Sequence, residues 1–400
     1  MVFYQKIKNG WCVIMAYKLE TVDRLGTDSS KWDGLKGRFG EDGLISMWVA
    51  DMDFKCPQVA IDALQKRIDH GIFGYNLLAP KYNEAFCKWE KERHGYDVNV
   101  DHVTFAAGIV PGINWAVNCF TEEMDAIIIA TPCYYPFGLA ARNNNRRLIS
   151  CDMVYDGKTW KLDMERFEQD IVNNGVKLYI LSSPHNPSGR VWTEEELDQM
   201  LGICEKHGVI VISDEIHQDL IMPGFKHIPS AIVKGGKYAK NIITFAAASK
   251  TFNLAGFATS SCIIENDEWR KEWQDYIAFK AVARGNMMGY VAGQACFEGG
   301  HEWLDAVLAE VKGNYDYLKE ECEKMGFSVC ELQGTYLAFV DFSAKYKDEE
   351  LEEFLQKKCR LAIDFGNWFG LAGKGFARFN LATPRKWVEE AVAAMKANVK

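Results

Sequence analysis

Six short apolar runs punctuate the middle of the chain, each bounded by turn-forming or polar residues: 102–107 (HVTFAA), 126–132 (AIIIATP), 177–184 (KLYILSSP), 209–215 (VIVISDE), 241–248 (NIITFAAA) and 260–265 (SSCIIE). Runs this short and this rich in Ile, Val and Leu predict strands buried on both faces. Between the third and fourth, Thr193 precedes Glu194-Glu195-Glu196, the pattern of a capping box. Leu197, Met200, Leu201 and Cys204 follow at helical spacing, and Gly208 ends the predicted helix. Alternation of strand and helix predicts an α/β fold with a mostly parallel sheet covered by helices.

The last third of the chain reads differently. Trp303 to Met325 is one long helical pattern, 334–342 a strand, 351–360 a short helix and 375–382 a strand. Thr383-Pro384 is expected to cap and open a final helix. This is a smaller α+β domain, with the boundary expected within 270–300. The resulting division is an N-terminal arm (1–55) packing with the small domain, a large domain (56–285) and the small domain (286–400).

Composition narrows the function. A chain of 400 residues exceeds what one core usually organises. Hydrophobic residues at 48% and charged residues at 25% exclude a disordered or low-complexity chain. A net charge of −9 repels phosphate backbones, so no nucleic-acid partner is expected. No apolar run approaches the roughly 18 residues of a membrane span. The twelve cysteines form no C-x-x-C pair, and several sit inside apolar runs. Buried free thiols in a reducing cytoplasm are therefore expected, with no metal site. At the start, Lys6 and Lys8 precede an apolar run too short for a signal peptide. Met15 reads as an alternative start, preceded by a disordered leader.

Chemistry concentrates at strand ends. Lys250 follows a buried run in Ser249-Lys250-Thr251-Phe252-Asn253. Desolvation of such an amine lowers its pKa and readies it for a Schiff base, although a solvated strand end is the ordinary alternative. Asn186 lies in Pro184-His185-Asn186-Pro187 and Asp214 in Asp214-Glu215-Ile216-His217, each at another strand end. Turn chemistry and helix capping are the plain readings of these two. In an open α/β sheet, however, all three positions converge on one crevice.

Taken together, these motifs resemble fold-type I pyridoxal phosphate (PLP) enzymes, the aspartate aminotransferase superfamily. Asn186 precedes Asp214 by 28 residues, and Asp214 precedes Lys250 by 36, separations that suit that fold. Within it, the chain resembles the MalY/PatB group of cystathionine β-lyases, or C-S lyases. The likeness rests on the segments Lys31-Trp32-Asp33, 47–54 (MWVADMDF), Phe73-Gly74-Tyr75, Arg93-His94-Gly95, 184–187 (PHNP), 214–217 (DEIH) and 249–253 (SKTFN). It covers the chain from about residue 20 to the end.

The resemblance implies a seven-stranded large-domain sheet, PLP as cofactor, an amino-acid substrate and a homodimer with shared active sites. It also implies roles. Lys250 holds the cofactor and moves the Cα proton. Asp214 keeps the pyridine nitrogen protonated. Asn186 and His217 sit at the phenolate edge, Tyr134 stacks on the ring and Tyr135 assists proton transfer. Gly108, Ile109, Val110 and Ser249 hold the phosphate, together with Tyr75 from the neighbouring subunit. Arg378 clamps the substrate carboxylate. There are departures: Ala258 stands where many aminotransferases carry Arg, and Ala247 replaces a common hydroxyl. The motif Gly366-Asn367-Trp368-Phe369-Gly370 keeps the family's spacing but has no role derivable from the sequence. Dinucleotide, P-loop and zinc-protease motifs are absent from the sequence. Three functions stay open at this point: a C-S β-lyase, an aminotransferase that shares every residue above, and a non-catalytic protein on the same fold.

Overall fold

The computed structural model describes residues 2–7, 10–15, 17–77, 79–282 and 285–400. Every predicted mid-chain strand is present: β1 (Val103–Ala106), β2 (Ala126–Thr131), then, beyond an additional β3 (Arg147–Asp152), β4 (Val176–Ser182), β5 (Ile210–Asp214), β6 (Ile242–Ala246) and β7 (Ser260–Ile264). They form one seven-stranded sheet in the order β1-β7-β6-β5-β4-β2-β3. β7 runs antiparallel to both its neighbours, and the other pairings in this sheet are parallel. The continuous burial of β2, β6 and β7 matches their uniformly apolar runs. β3 escapes the apolar-run reading because it is an edge strand, half exposed and opened by Arg147.

Helices α1 (Gln58–His70), α2 (Pro80–His94), α3 (Ile109–Phe120) and α4 (Glu194–Lys206) flank this part of the chain. The capping box forms as expected: Thr193 Oγ1 accepts from the Glu196 amide at 3.2 Å, and the Thr193 amide donates to Glu196 Oε2 at 3.0 Å. Leu197, Met200, Leu201 and Cys204 are buried beneath α4. Helix α5 (Met287–Gly299) packs against α1 and α2.

The long helix α6 (His301–Lys324) packs on the final helix α7 (Arg385–Asn398). Nearby lies an antiparallel sheet of β8 (Ser328–Val329), β9 (Leu337–Asp341), β10 (Asp364–Phe365) and β11 (Phe376–Asn380), in the order β8-β9-β11-β10. The arm reaches this region at several points. Ile45–Ser46 pairs in parallel with Leu361–Ala362, Gln356 Nε2 donates to the Phe39 carbonyl at 2.9 Å, and the Trp32 and Trp387 rings lie 5.2 Å apart.

Three local expectations are corrected. Val2–Ile7 pairs antiparallel with Gly10–Met15, so these two stretches are paired strands rather than disordered chain. The short helix at 351–360 instead starts at Asp348 and passes into a π-helical turn over Glu353–Lys358, bringing Phe354, Leu355 and Gln356 all into buried positions. Thr383 does not cap the last helix with its side chain, because its hydroxyl donates to the buried carboxylate of Asp53 at 2.8 Å. Among the described residues, eleven cysteines are unpaired and no helix is long and apolar enough to cross a membrane.

Candidate active site

The order of the parallel strands reverses between β2 and β4, since β3 lies beyond β2 on one side and β4 on the other. Such a reversal opens a crevice at the carboxyl ends of the strands. A cavity of about 260 Å³ sits there. Gly108, Ile109 and Val110 line it from the start of α3, and Tyr134 from the turn after β2. Asn186 comes from the turn after β4, while Asp214 and His217 come from the end of β5 and beyond. Ser249 and Lys250 come from the short helix Ala248–Thr251 after β6. Nine of the residues named from the sequence thus share one cavity.

Burial sets the electrostatics of these groups. Lys250 Nζ donates to the Ala50 carbonyl at 2.5 Å, an oxygen that also accepts from Tyr336 Oη at 2.8 Å. Desolvation pulls the Lys250 amine down to about 8, although Asp51 and Asp214 favour its charged form. Asp214 is pushed up to about 7 by burial, and its Oδ1 accepts from the Ile216 amide at 3.1 Å. Burial, with Lys250 and Arg378 adding to it, holds His217 well below the usual histidine range, and its Nδ1 has no hydrogen-bond partner. Burial likewise raises Tyr134 to about 12. At the start of α3, Gly108 has φ +102° and the helix has no side-chain cap. An uncapped helix start of this kind is a ready anion site, and its first residues line the cavity.

Arg378, on β11, is not part of the cavity lining but is bonded to a residue that is. Its Nη1 donates to Asn186 Oδ1 at 2.9 Å, and its Nη2 donates to the Trp48 carbonyl at 2.9 Å and pairs with Asp364. Asp364 and Arg378 are direct register partners across β10 and β11, which accounts for their ion pair. The guanidinium lies 4.9 Å from the Phe369 ring centre, and its buried Nε has no partner. This gives the Gly-x-x-Phe-Gly motif a physical role. Phe369 supports Arg378 with its ring, while its carbonyl accepts from the Cys133 amide at 2.8 Å, beside Tyr134. The loop can close only without side chains at two points, since a Cβ on Gly366 would strike the Gly373 carbonyl oxygen and the reverse also holds.

Tyr135 and Tyr75 stand apart from the cavity lining. Tyr135 is exposed at the start of the helix Tyr135–Asn143, its ring 5.5 Å from that of Tyr134. Tyr75 is 97% exposed in the segment between α1 and α2. The sequence reading missed Ser182, Thr259 and Ser260, which also line the cavity beside Ala258. The hydroxyl run Thr259-Ser260-Ser261, next to the alanine that replaces the expected Arg, was the available signal.

The other family-like segments meet around this site. Asp53 joins Lys31 Nζ at 2.7 Å and Trp32 Nε1 at 2.9 Å, and the Asn253 amide group bonds to the backbone of Met52 and Phe54. Residues 43–395 match the aminotransferase class I and II family. Cystathionine beta-lyase PatB of Bacillus subtilis is 35% identical over 380 residues, spanning 94% of this chain and 97% of PatB. Protein MalY of Escherichia coli is 31% identical over 384 residues, with shares of 94% and 97%. Cystalysin from Treponema denticola, whose crystal structure contains a pyridoxal 5'-phosphate cofactor, superposes with a TM-score of 0.91 at 34% identity, over 96% of this chain and 99% of that one. The fold is that of fold-type I. The family match runs through both the strand-end cavity and the strand that carries Arg378, and the chain belongs to the class I and II aminotransferase family.

Proposed function

We propose that the protein is a PLP-dependent C-S β-lyase that cleaves L-cystathionine or a related cysteine S-conjugate to pyruvate, ammonia and a thiol. The observation that carries this reading is the meeting of Lys250, Asp214, Asn186 and His217 in one strand-end cavity. It comes in a chain similar over nearly its full length to PatB and MalY. PLP fits the residues present. A buried carboxylate pushed up to about 7 calls for a cationic partner, an uncapped helix start for an anion, and a desolvated amine for a carbonyl. When bound, PLP supplies the electron sink for the charge freed at the substrate Cα.

Each side chain then has a task. Lys250 would hold the cofactor through its amine, and the same amine would take the Cα proton. Asp214 keeps the pyridine nitrogen protonated. Asn186 and His217 would hold the phenolate edge, where neutral His217 would add no charge. Tyr134 supports the ring, Tyr135 assists proton transfer, and Ser249 with the amides of Gly108, Ile109 and Val110 holds the phosphate. Arg378 binds the substrate carboxylate. The Cβ thiolate leaves readily because thiols ionise near 8.5. The unpaired cysteines fit a cytoplasmic location. Exposed Ile72, Phe73 and Leu77 flank Tyr75 and fit a homodimer in which Tyr75 completes the partner's phosphate site.

Product analysis tests the reading. Purified protein is incubated with L-cystathionine, with and without a 2-oxo acid. Pyruvate and thiol in equal amounts without the acceptor are the expected result. Turnover only when the acceptor is present would make the protein an aminotransferase, and no turnover of any amino acid a non-catalytic one.

A further inference from the structure

The turn that follows β5 has two faces. Asp214 and His217 line the cavity, whereas Glu215, Gln218 and Asp219 turn away into a buried network. Glu215 accepts from Ser213 Oγ, the Ser230 amide and the His227 ring, and Gln218 donates to Glu90. Asp219 is the centre of a separate set of contacts. Its Oδ1 lies 2.9 Å from Trp89 Nε1, 2.9 Å from His94 Nε2 and 3.5 Å from Arg93 Nε, all near the end of α2. Its Oδ2 accepts from Thr251 Oγ1 at 2.7 Å. Thr251 is fully buried and directly follows Lys250 in a helix only four residues long. A helix so short has little rigidity of its own, because its end groups outnumber its internal hydrogen bonds.

We propose that Asp219 is a positioning residue for Lys250: through Thr251 it fixes the Lys250 turn against the Asp214 turn, with α2 as the anchor. The inference rests on the proposed role of Lys250 and adds to it a second group that sets where the amine points. One five-residue step of chain, from Asp214 to Asp219, then connects the carboxylate facing the cofactor with the carboxylate that holds the lysine. Mispositioning an attacking group by about 1 Å costs on the order of 100-fold in rate. Asp219 never touches the reacting atoms, and its effect passes entirely through one hydroxyl.

Thr251→Val is the sharper variant, since it deletes that hydroxyl and keeps the volume. Asp219→Asn is the second variant, Thr251→Ser the conservative control and Lys250→Ala the reference. Two quantities are read: the rate at which cofactor-free protein captures added PLP, followed by the growth of visible absorbance, and kcat with KM for pyruvate release. Thr251→Val and Asp219→Asn are each expected to slow capture and lower kcat by about 10- to 100-fold. The double variant is expected to lose no more than the worse single one, because both break the same contact. Thr251→Ser is expected to behave as the wild type. Wild-type capture and kcat in Thr251→Val, or losses that multiply in the double variant, would overturn the proposal even if melting temperatures fall. An Asp219→Asn chain that fails to fold leaves the decision to Thr251→Val. A wild-type band that Lys250→Ala does not abolish would instead sink the role of Lys250, and this inference with it.

Discussion

At the scale of single residues, Asp214 gives a signed expectation. Burial holds its carboxyl at about 7 instead of 3.8. Between those values the folded chain binds a proton that the unfolded chain has lost, so the stability of cofactor-free protein falls as pH rises. The penalty is absent below about 4, complete above about 7, and amounts to at most about 4 kcal/mol. Asp214→Asn removes it. Cofactor-free Asp214→Asn is therefore expected to melt above the wild type at about pH 7.5, with the gap closing toward about pH 4. Added PLP should raise the wild-type melting temperature more than that of the variant, and pyruvate release should be nearly lost. A variant that melts at or below the wild type at neutral pH would contradict the burial argument. Arg378→Lys is a second test. Lysine keeps the charge but cannot hold Asp364, Asn186 and a substrate carboxylate in one fork. KM for the substrate is expected to rise about 10- to 100-fold, measured by steady-state pyruvate release, with a smaller change in kcat. Lys250, Asp214 and Asn186 were legible in the sequence because each ends an apolar run, and strand ends converge. Asp364 and Asp219 were not: the Asp364–Arg378 pair depends on the register of two strands, His94 lies 125 residues from Asp219, and no local pattern announces either contact.

At the scale of elements, α4 shows how one carboxylate serves two structures. Glu196 closes the capping box with Thr193 and also pairs with Arg190, whose guanidinium is buried, lies 3.8 Å from the Trp192 ring centre and donates to the Trp160 carbonyl. Thr193→Ala loses only a cap, an expected cost of about 1 kcal/mol. Glu196→Ala loses the cap and strands a buried cation. It is expected to cost about 2–3 kcal/mol, less than a fully buried pair because Glu196 is partly exposed. Urea denaturation measures both, and equal losses would show that Arg190 finds another partner. Neither change should alter kcat, because α4 lies outside the cavity lining. Elements of this kind were legible from the sequence wherever period and boundary agreed, as in α4 and the buried strands. Edge strand β3 lacked the continuous apolar run by which the others were found. The π-turn at Glu353–Lys358 follows from packing of Phe354, Leu355 and Gln356 together, and propensity alone would have continued an α-helix. Thr383 looked like a cap because Ser and Thr usually serve there, yet the buried Asp53 outcompetes the helix for its hydroxyl.

At the scale of the whole molecule, the segment between α1 and α2 poses the main question of assembly. Ile72, Phe73, Tyr75 and Leu77 are all exposed within six residues. Exposed apolar side chains concentrated this way mark an interaction surface more often than a random surface does. The proposed occupant is a second copy of this chain, related by a two-fold axis, with Tyr75 entering the phosphate end of the partner's cavity. Each cavity would then draw Lys250 from one subunit and Tyr75 from the other. Two individually inactive variants should therefore complement each other. Tyr75→Ala keeps Lys250 but deprives its partner of the tyrosine, and Lys250→Ala does the opposite. In a mixed dimer, the site on the Tyr75→Ala chain has its own Lys250 and an intact tyrosine from its neighbour. Random exchange makes half of all dimers mixed, each with one complete site, so activity should recover to about a quarter of wild type. Subunit exchange is followed separately by fluorescent labelling of the two variants, and pyruvate release is measured on the mixture. Exchange without recovered activity would show that Tyr75 acts within its own chain, and the shared-site dimer would lose its basis.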